Sequence, residues 1–234
     1  MARHPRVDLW RGSAVLMMVA YHGCYDLTYF GYAHFRMLED PRWIAWRTVI
    51  VSSFVLLSGF SMALGREGSQ RGFGKRLLQL GGCALLVSAA TSLLFGPRWI
   101  YFGVLHFFFV ATLVTAPLRR HPDALVLAGS ALFVAGWTLG WDAMNARTLN
   151  WIGFASQKPF TEDYAPLIPW LGLLWIGFWA GCRFPSLAGP APSASPKPQS
   201  PPMVATTFLG RHSLVAYMLH QPLLFALLYL IHRL

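Results

Sequence analysis

Apolar stretches of about 20 residues recur along this chain, and they constrain its fold more than any other feature. An α-helix rises 1.5 Å per residue, so ~20 apolar residues cross the ~30 Å hydrocarbon core of a bilayer. Only 12% of the 234 residues are charged, about half the proportion usual in a soluble domain. The sequence therefore predicts an integral membrane protein. It excludes a disordered chain, a coiled coil, a secreted disulfide scaffold or a DNA-binding module as the main character of the molecule.

Seven of these stretches are candidate spans. They are residues 9–30, 43–64, 77–95, 99–117, 123–142, 166–182 and 208–232. Unpaired backbone groups cannot face lipid, so each span should be helical. The predicted fold class is an all-α membrane protein, a polytopic helical bundle of about seven transmembrane helices.

The basic residues predict the orientation of these spans. The net charge is +10, and twelve of the 19 Lys and Arg residues lie at one set of span ends, with seven at the other. Lys and Arg concentrate on the cytoplasmic side of membrane proteins. The N-terminus is therefore predicted to be cytoplasmic, and most of the positive charge marks topology, so no nucleic-acid partner is expected.

A Pro/Ser-rich segment at 184–202, FPSLAGPAPSASPKPQSPP, has no hydrophobic periodicity. Such a composition is typical of a flexible linker, here on the cytoplasmic side. The expected organisation is a six-span transmembrane core over 1–183, this linker, and a final transmembrane helix within 203–234 that belongs to the same domain.

Ionisable residues inside membrane spans are costly and suggest function. In the first predicted span, Arg11 and His22 are eleven residues apart, which places them within ~20° of one helix face and ~16 Å apart along the axis. Asp26 is one turn beyond His22, where i,i+4 side chains meet. This spacing predicts that the carboxylate fixes the imidazole tautomer and raises its basicity. The simpler alternative is that His22 and Asp26 only bond to each other and bridge helices.

Further histidines extend this candidate site. His106 and His220 lie about midway through the fourth and seventh predicted spans, and His34 lies in the first predicted outer loop. Each alone is explained by a helix-bridging hydrogen bond or, for His34, by solvation, but several buried histidines in one small bundle all need polar partners. The candidate catalytic residues are His22, Asp26, His34, His106 and His220. The three cysteines have no metal-binding spacing, so no metal is expected.

Several segments, in order along the chain, resemble bacterial members of the heparan-α-glucosaminide N-acetyltransferase catalytic-domain family. They are RGSAVLMMVAYHGCYDLTYF, SSFVLLSGFSMALG, KRLLQL, FGVLHFFFVATL, DYAPLIPWLGLLWIGFWAG and LGRHSLVAYMLHQPLL. The first and last are also similar to acyltransferase family 3, in which an Arg-Gly start is followed by a histidine eleven residues later, as Arg11 is by His22. The resemblance covers nearly the whole chain.

The resemblance implies a transmembrane acyltransferase of the bacterial inner membrane. It would take an acetyl group from acetyl-CoA on the cytoplasmic side and transfer it to a hydroxyl or amine of a sugar or glycan acceptor. A membrane-embedded histidine would act as base or acyl carrier. The eukaryotic members place this histidine after an aromatic Tyr-Phe pair. Here His34 follows Tyr29-Phe30 at a slightly different spacing, whereas His22 holds the family-3 position. Both stay candidates, and His22 is preferred.

The resemblance also gives the cationic residues a candidate role in binding the phosphates of acetyl-CoA, beside their role as a topology signal. They are Arg11, Arg66, Arg71, Lys75, Arg76, Arg119 and Arg120. The chain has fewer spans than the eukaryotic enzymes, so a homodimer is one way to complete the bundle.

Two other functions fit buried histidines. One is a haem-binding electron-transfer protein that uses His22, His106 and His220 as ligands, although such a site does not require Arg11 or Asp26. The other is a transporter or flippase in which His and Asp form a proton relay, although we find no internal repeat of the kind common in transporters.

Overall fold

The computed structural model describes residues 4–65, 70–189 and 200–233. Within these ranges the chain forms α-helices and short 3-10 turns, and its only strand-like pairing is an isolated bridge between Trp141 and Ala155. The helices are α1 (Pro5–Tyr29), α2 (Pro41–Leu64), α3 (Gln70–Phe95), α4 (Val104–Leu118), α5 (Pro122–Thr138), α6 (Leu167–Arg183), α7 (Pro201–Arg211) and α8 (Ser213–His232). The predicted all-α class is confirmed.

Three of the described segments are long and apolar enough to cross a membrane, by length and composition. They are Pro41–Leu64, Arg71–Arg98 and Ser213–His232. The apolar helices α4, α5 and α6 are shorter, with 15, 17 and 17 residues. The molecule is therefore an integral membrane protein, while the number of seven spans and the cytoplasmic N-terminus stay predictions.

Two predicted spans differ from the helices that form. The stretch 99–117 is helical only from Val104, because the 3-10 turn Gly96–Arg98 and a non-helical segment precede it. The stretch 208–232 is divided between α7 and α8, with a break at His212. The middle of the predicted linker, 190–199, lies outside the described residues, so the proposed domain organisation stays a prediction. The described ends of the predicted linker form a 3-10 turn at Pro185–Ala188 and the start of α7.

The described chain divides into two compact units. The first comprises Ser58–Phe184, which contains the last turns of α2 and the helices α3 to α6. Its most extensive packing is between α5 and α6. These helices run antiparallel, and Gly129 and Gly172 let their backbones meet, because a Cβ on either glycine would collide with the other's carbonyl oxygen. Small residues allow such close approach between membrane helices.

The second unit contains the chain up to Leu57 and the chain from Pro185 onward. Helix α7 runs antiparallel to α1, since Gly12 meets Thr206 and Asp8 meets Gly210. The chain reverses at His212, and α8 then runs parallel to α1, with His22 beside His220 and Phe30 beside Phe225. The first and last helices of the chain are thereby neighbours.

Apolar and aromatic side chains hold α1 in place within the second unit. Val15, Met18 and Tyr21 form a buried cluster with residues that follow α1 in the chain, Met37 and Ile50. The Tyr21 ring also makes edge contacts with two tryptophans of α2 and with the imidazole of His22. The core therefore fixes the face of α1 that presents His22.

Candidate functional site

The structure brings two of the predicted histidines together, although 198 residues separate them. Nε2 of His220 on α8 lies 3.1 Å from Nδ1 of His22 on α1. The ring centroids are 4.8 Å apart, with an interplanar angle of 54°. This is a hydrogen-bonded imidazole pair between the first and last helices.

Backbone carbonyls determine where the protons of this pair lie. The carbonyl oxygen of Met18 is 3.1 Å from Nδ1 of His22, and that of Tyr217 is 2.7 Å from Nδ1 of His220. A carbonyl only accepts, so each Nδ1 carries the proton of a neutral ring and each Nε2 keeps a lone pair. Nδ1–H of His22 then donates to Nε2 of His220. Among the described residues, no group hydrogen-bonds to Nε2 of His22, which is left as an available base.

Asp26 does not play the part that its spacing predicted. Its Oδ1 accepts a 2.6 Å hydrogen bond from Nε2 of Gln221 on α8, and no bond to His22 forms in the described chain, so the predicted His22–Asp26 pairing is wrong. Helical side chains lean toward the N-terminus, which carries the His22 ring to the Met18 carbonyl. Sequence reasoning missed Gln221, although a polar residue beside His220 in an apolar helix was a usable signal.

The Asp26–Gln221 pair leaves two buried atoms without hydrogen-bond partners in the described chain. They are Oδ2 of Asp26 and Oε1 of Gln221. The Asp26 side chain is 0% exposed. Both atoms are acceptors when the carboxyl group is ionised, so the pair has an excess of acceptors over donors.

Arg11 lies in an ionic cluster at the opposite end of α1 from His22. It forms a 3.3 Å ion pair with Asp8 and lies 3.5 Å from the carbonyl oxygen of Gly210. The same carboxylate pairs with Arg211 at 3.5 Å. Two guanidinium groups therefore share one carboxylate, and the cluster keeps a net positive charge.

His34 is exposed in the segment between α1 and α2. The structure describes no hydrogen bond, ion pair or ring contact for its side chain within the described residues. It is not part of the contact between His22 and His220.

His106 lies in the first unit, where one ring nitrogen bonds at the start of α4 and the other bonds to α3. Its Nδ1 accepts a hydrogen bond of 3.2 Å from the Gly103 N–H, so its proton is on Nε2. Nε2 is 3.0 Å from Oγ of Ser88, and that hydroxyl donates to the Ile100 carbonyl at 2.7 Å. A nucleophile–base pair needs the lone pair of the base to face the hydroxyl. Here the imidazole presents its Nε2–H to the Ser88 hydroxyl, so Ser88 and His106 are not such a pair.

The candidate phosphate-binding residues of the first unit lie at one end of an antiparallel helix pair. Arg71, Lys75 and Arg76 are in the first two turns of α3, and Arg119 and Arg120 follow α4. Ser88 meets His106 and Gly81 meets Phe109, which fixes the antiparallel direction. Arg76 also donates to the Ser58 hydroxyl at 3.1 Å. Arg66 lies outside the described residues, and no group of three or more potential metal ligands is found in the described ranges.

The segment between α5 and α6 is held by a network around Asn150, which is 2% exposed. Tyr101 donates to the Asn150 side-chain oxygen at 3.0 Å, and Tyr164 donates to its backbone carbonyl at 2.7 Å. Burial raises the pKa of Tyr164, and the neighbouring Tyr101 adds to the effect. The phenol of Tyr164 therefore stays a donor.

Apolar helices with an imidazole pair between α1 and α8 define an integral membrane protein with a polar contact between two of its helices. The family model described as heparan-alpha-glucosaminide N-acetyltransferase, catalytic, matches residues 3–222. The chain belongs to this family, which confirms the resemblance of its segments and assigns it to the membrane acetyltransferases. The match includes both histidines, Asp26 and Gln221. A search of curated proteins and a search of solved structures give no match.

Proposed function

We propose that this chain transfers an acetyl group from acetyl-CoA to a hydroxyl or amine of a sugar or glycan acceptor, with His22 as general base. The observation that carries the proposal is the open lone pair on Nε2 of His22. It follows from the hydrogen bonds that run from His22 through His220 to the Tyr217 carbonyl.

The residues suffice for a balanced transfer. Nε2 of His22 accepts the proton of the acceptor O–H or N–H while the acceptor atom attacks the thioester carbonyl carbon. The carbon–sulfur bond breaks, the sulfur leaves with the electron pair, and His22 returns the proton to it. Nδ1–H of His22 faces two acceptors, the His220 ring and the Met18 carbonyl, which stabilise the transient positive charge. His220 acts through His22 and is a positioning residue.

The anionic part of acetyl-CoA is proposed to bind at cationic groups. Arg11 and Arg211 share Asp8 and suit phosphate, because guanidinium groups bind its oxygens through paired hydrogen bonds. Arg11 is ~16 Å from His22 along α1, a depth that a thin pantetheine chain can span. The other proposed phosphate ligands are Arg66, Arg71, Lys75, Arg76, Arg119 and Arg120. The inner-membrane location and the homodimer are likewise proposals, drawn from the resemblance.

The first experiment measures transfer of labelled acetyl from acetyl-CoA to glucosamine by the purified protein. We expect His22→Gln to lower kcat by about 100-fold or more, since positioned acid–base catalysis contributes 10²- to 10⁴-fold. His34→Gln is the matched control and should stay within about twofold of the parent. The reverse pattern would move the base to His34. Flux of glucosamine into proteoliposomes without an acetylated product would instead favour the transporter.

A second measurement separates base from acyl carrier. The protein is mixed with labelled acetyl-CoA and no acceptor, quenched, and analysed for label on the polypeptide. With His22 as base we expect none. Acetyl-imidazole at His22 that disappears when glucosamine is added would assign it as the nucleophile.

A further inference from the structure

The acceptor-rich pair Asp26–Gln221 lies one helical turn along α1 from His22. Its two orphaned atoms, Oδ2 of Asp26 and Oε1 of Gln221, are buried and face no donor in the described chain. A buried acceptor without a donor is destabilising, and more so when it is charged. Two such atoms on one hydrogen-bonded pair of side chains are therefore a feature to be explained.

The bridge between the two helices needs only one oxygen of the side-chain pair, and the hydrogen bond that forms it leaves Oδ2 of Asp26 and Oε1 of Gln221 unused. The 2.6 Å hydrogen bond from Gln221 to Oδ1 already joins α1 to α8, and an apolar pair of similar size would join them without the penalty. The next residue adds a further acceptor, because Pro222 inside α8 has no N–H to give to the Met218 carbonyl. In the described chain, this turn of α8 and its partner Asp26 therefore have more acceptors than donors.

The position of the pair suits an acetyl acceptor whose reacting group lies at Nε2 of His22. A four-residue step along α1 rises ~6 Å, about two hydrogen-bond lengths of ~2.8 Å each. One molecule with donors on two neighbouring atoms can therefore reach both Nε2 of His22 and Oδ2 of Asp26.

We propose that Asp26 and Gln221 form the subsite that recognises the acceptor, by accepting a hydrogen bond from a hydroxyl on the carbon next to the reacting group. The substrate class is then a 1,2-amino alcohol or 1,2-diol, as sugars present, and not a simple amine or alcohol. This inference rests on the proposed function, since it places the reacting group at His22.

The test compares two acceptors that differ by one hydroxyl, trans-2-aminocyclohexanol and cyclohexylamine. A hydrogen bond to a charged group stabilises by 1.5–3 kcal/mol, or about 10- to 150-fold. We expect the unmodified protein to prefer the amino alcohol in kcat/KM by at least about tenfold, with the difference mainly in KM. Asp26→Asn and Gln221→Leu should reduce the preference to about twofold or less. Thr28→Val is the matched control on α1, because within the described residues the Thr28 hydroxyl bonds to the Cys24 carbonyl of its own helix, and it should keep the preference.

A binding readout separates failure of this inference from failure of the proposed function. The thermal unfolding midpoint of the detergent-solubilised protein is measured with each compound, without acetyl-CoA. A larger stabilisation by the amino alcohol that Asp26→Asn removes supports the subsite even if no acetyl transfer is detected. Equal midpoints with both compounds, or a preference that survives in a folded Asp26→Asn protein, would overturn it.

Discussion

At the scale of single residues, this site is unusual because the group that holds the His22 imidazole is itself neutral, the imidazole of His220. In many nucleophile–base arrangements a carboxylate holds the imidazole, whereas here a second imidazole does so. Burial of a neutral ring costs far less than burial of a carboxylate, which suits a site between membrane helices. Such a partner would align the proposed base without adding a fixed negative charge.

The first residue-scale prediction concerns His220. We expect His220→Ala to lower kcat by about 10- to 100-fold, because Nδ1 of His22 loses its partner and the ring can rotate, while KM for acetyl-CoA stays unchanged. His220→Gln should restore part of the loss, since its side-chain oxygen can accept the same hydrogen bond. The kcat and KM values of the three proteins provide the check. An unchanged kcat in His220→Ala would remove His220 from the mechanism.

The sequence identified His22, Asp26 and His220 because ionisable groups are rare in apolar helices and each needs a partner. It could not identify which partner each has. Local spacing favoured His22 with Asp26, but the structure pairs both with residues on α8 that are 195 to 198 positions away. Such contacts depend on how helices pack, and hydrophobic periodicity alone does not specify this.

At the scale of secondary-structure elements, the apolar pattern does not predict α7 as a helix separate from α8. Residues 208–232 read as one continuous span, yet the chain reverses at His212 and α7 packs back along α1. Two glycines make this packing close. A Cβ on Gly12 would collide with the Thr206 carbonyl oxygen, and one on Gly210 would collide with that of Asp8.

The close approach of α7 to α1 predicts that substitution by alanine has different effects on stability at two glycines of α1. We expect Gly12→Ala to destabilise the protein by about 1–3 kcal/mol, because α7 must move outward. Gly23→Ala is the control, since nothing lies within 4 Å of its added methyl group, and alanine should be neutral or stabilising there. Thermal unfolding midpoints in detergent would check this. Equal midpoints for the two variants would contradict the packing of α7 on α1.

The segment between α5 and α6 makes a pH-dependent prediction. The pKa of Tyr164 is raised by burial, so the folded state holds the phenol proton more tightly than the unfolded chain, whose tyrosines titrate near pH ~10. The stabilisation of the folded protein by the protonated Tyr164 phenol is complete below that pH. It is lost as the pH rises through the pKa that Tyr164 has in the folded state. Tyr164→Phe should lower stability by about 1 kcal/mol at pH 8. It should also flatten the decline in unfolding midpoint between pH 9 and 11, and a variant that keeps the parent slope would contradict this.

At the scale of the whole molecule, the second unit is built from both ends of the chain. Helices α1, α7 and α8 pack together, and α1 contributes one half of each polar contact, with Asp8, His22 and Asp26 all bonded to residues beyond position 210. All three contacts involve residues on either side of the predicted linker 184–202 in the sequence.

This arrangement predicts that the chain tolerates a cut in that linker. If residues 1–189 and 200–234 are co-expressed as separate chains, we expect the two fragments to copurify in mild detergent. We also expect acetyl transfer within about threefold of the intact protein. Residues 1–189 alone should be inactive, because His220 and Gln221 are missing. Failure to copurify would contradict the contact between α1 and the final helices.

The pairing of α1 with α8 also has a consequence for biosynthesis. A ribosome at 5 to 20 residues per second needs roughly 10 to 40 s to make the 198 residues from His22 to His220. During that time α1 is already synthesised while His22 and Asp26 have no partners from α8. A chain that stops early keeps a carboxylate and an imidazole unpaired at membrane depth, which is costly. Translation of α8 therefore supplies the partners of His22 and Asp26 and removes this cost.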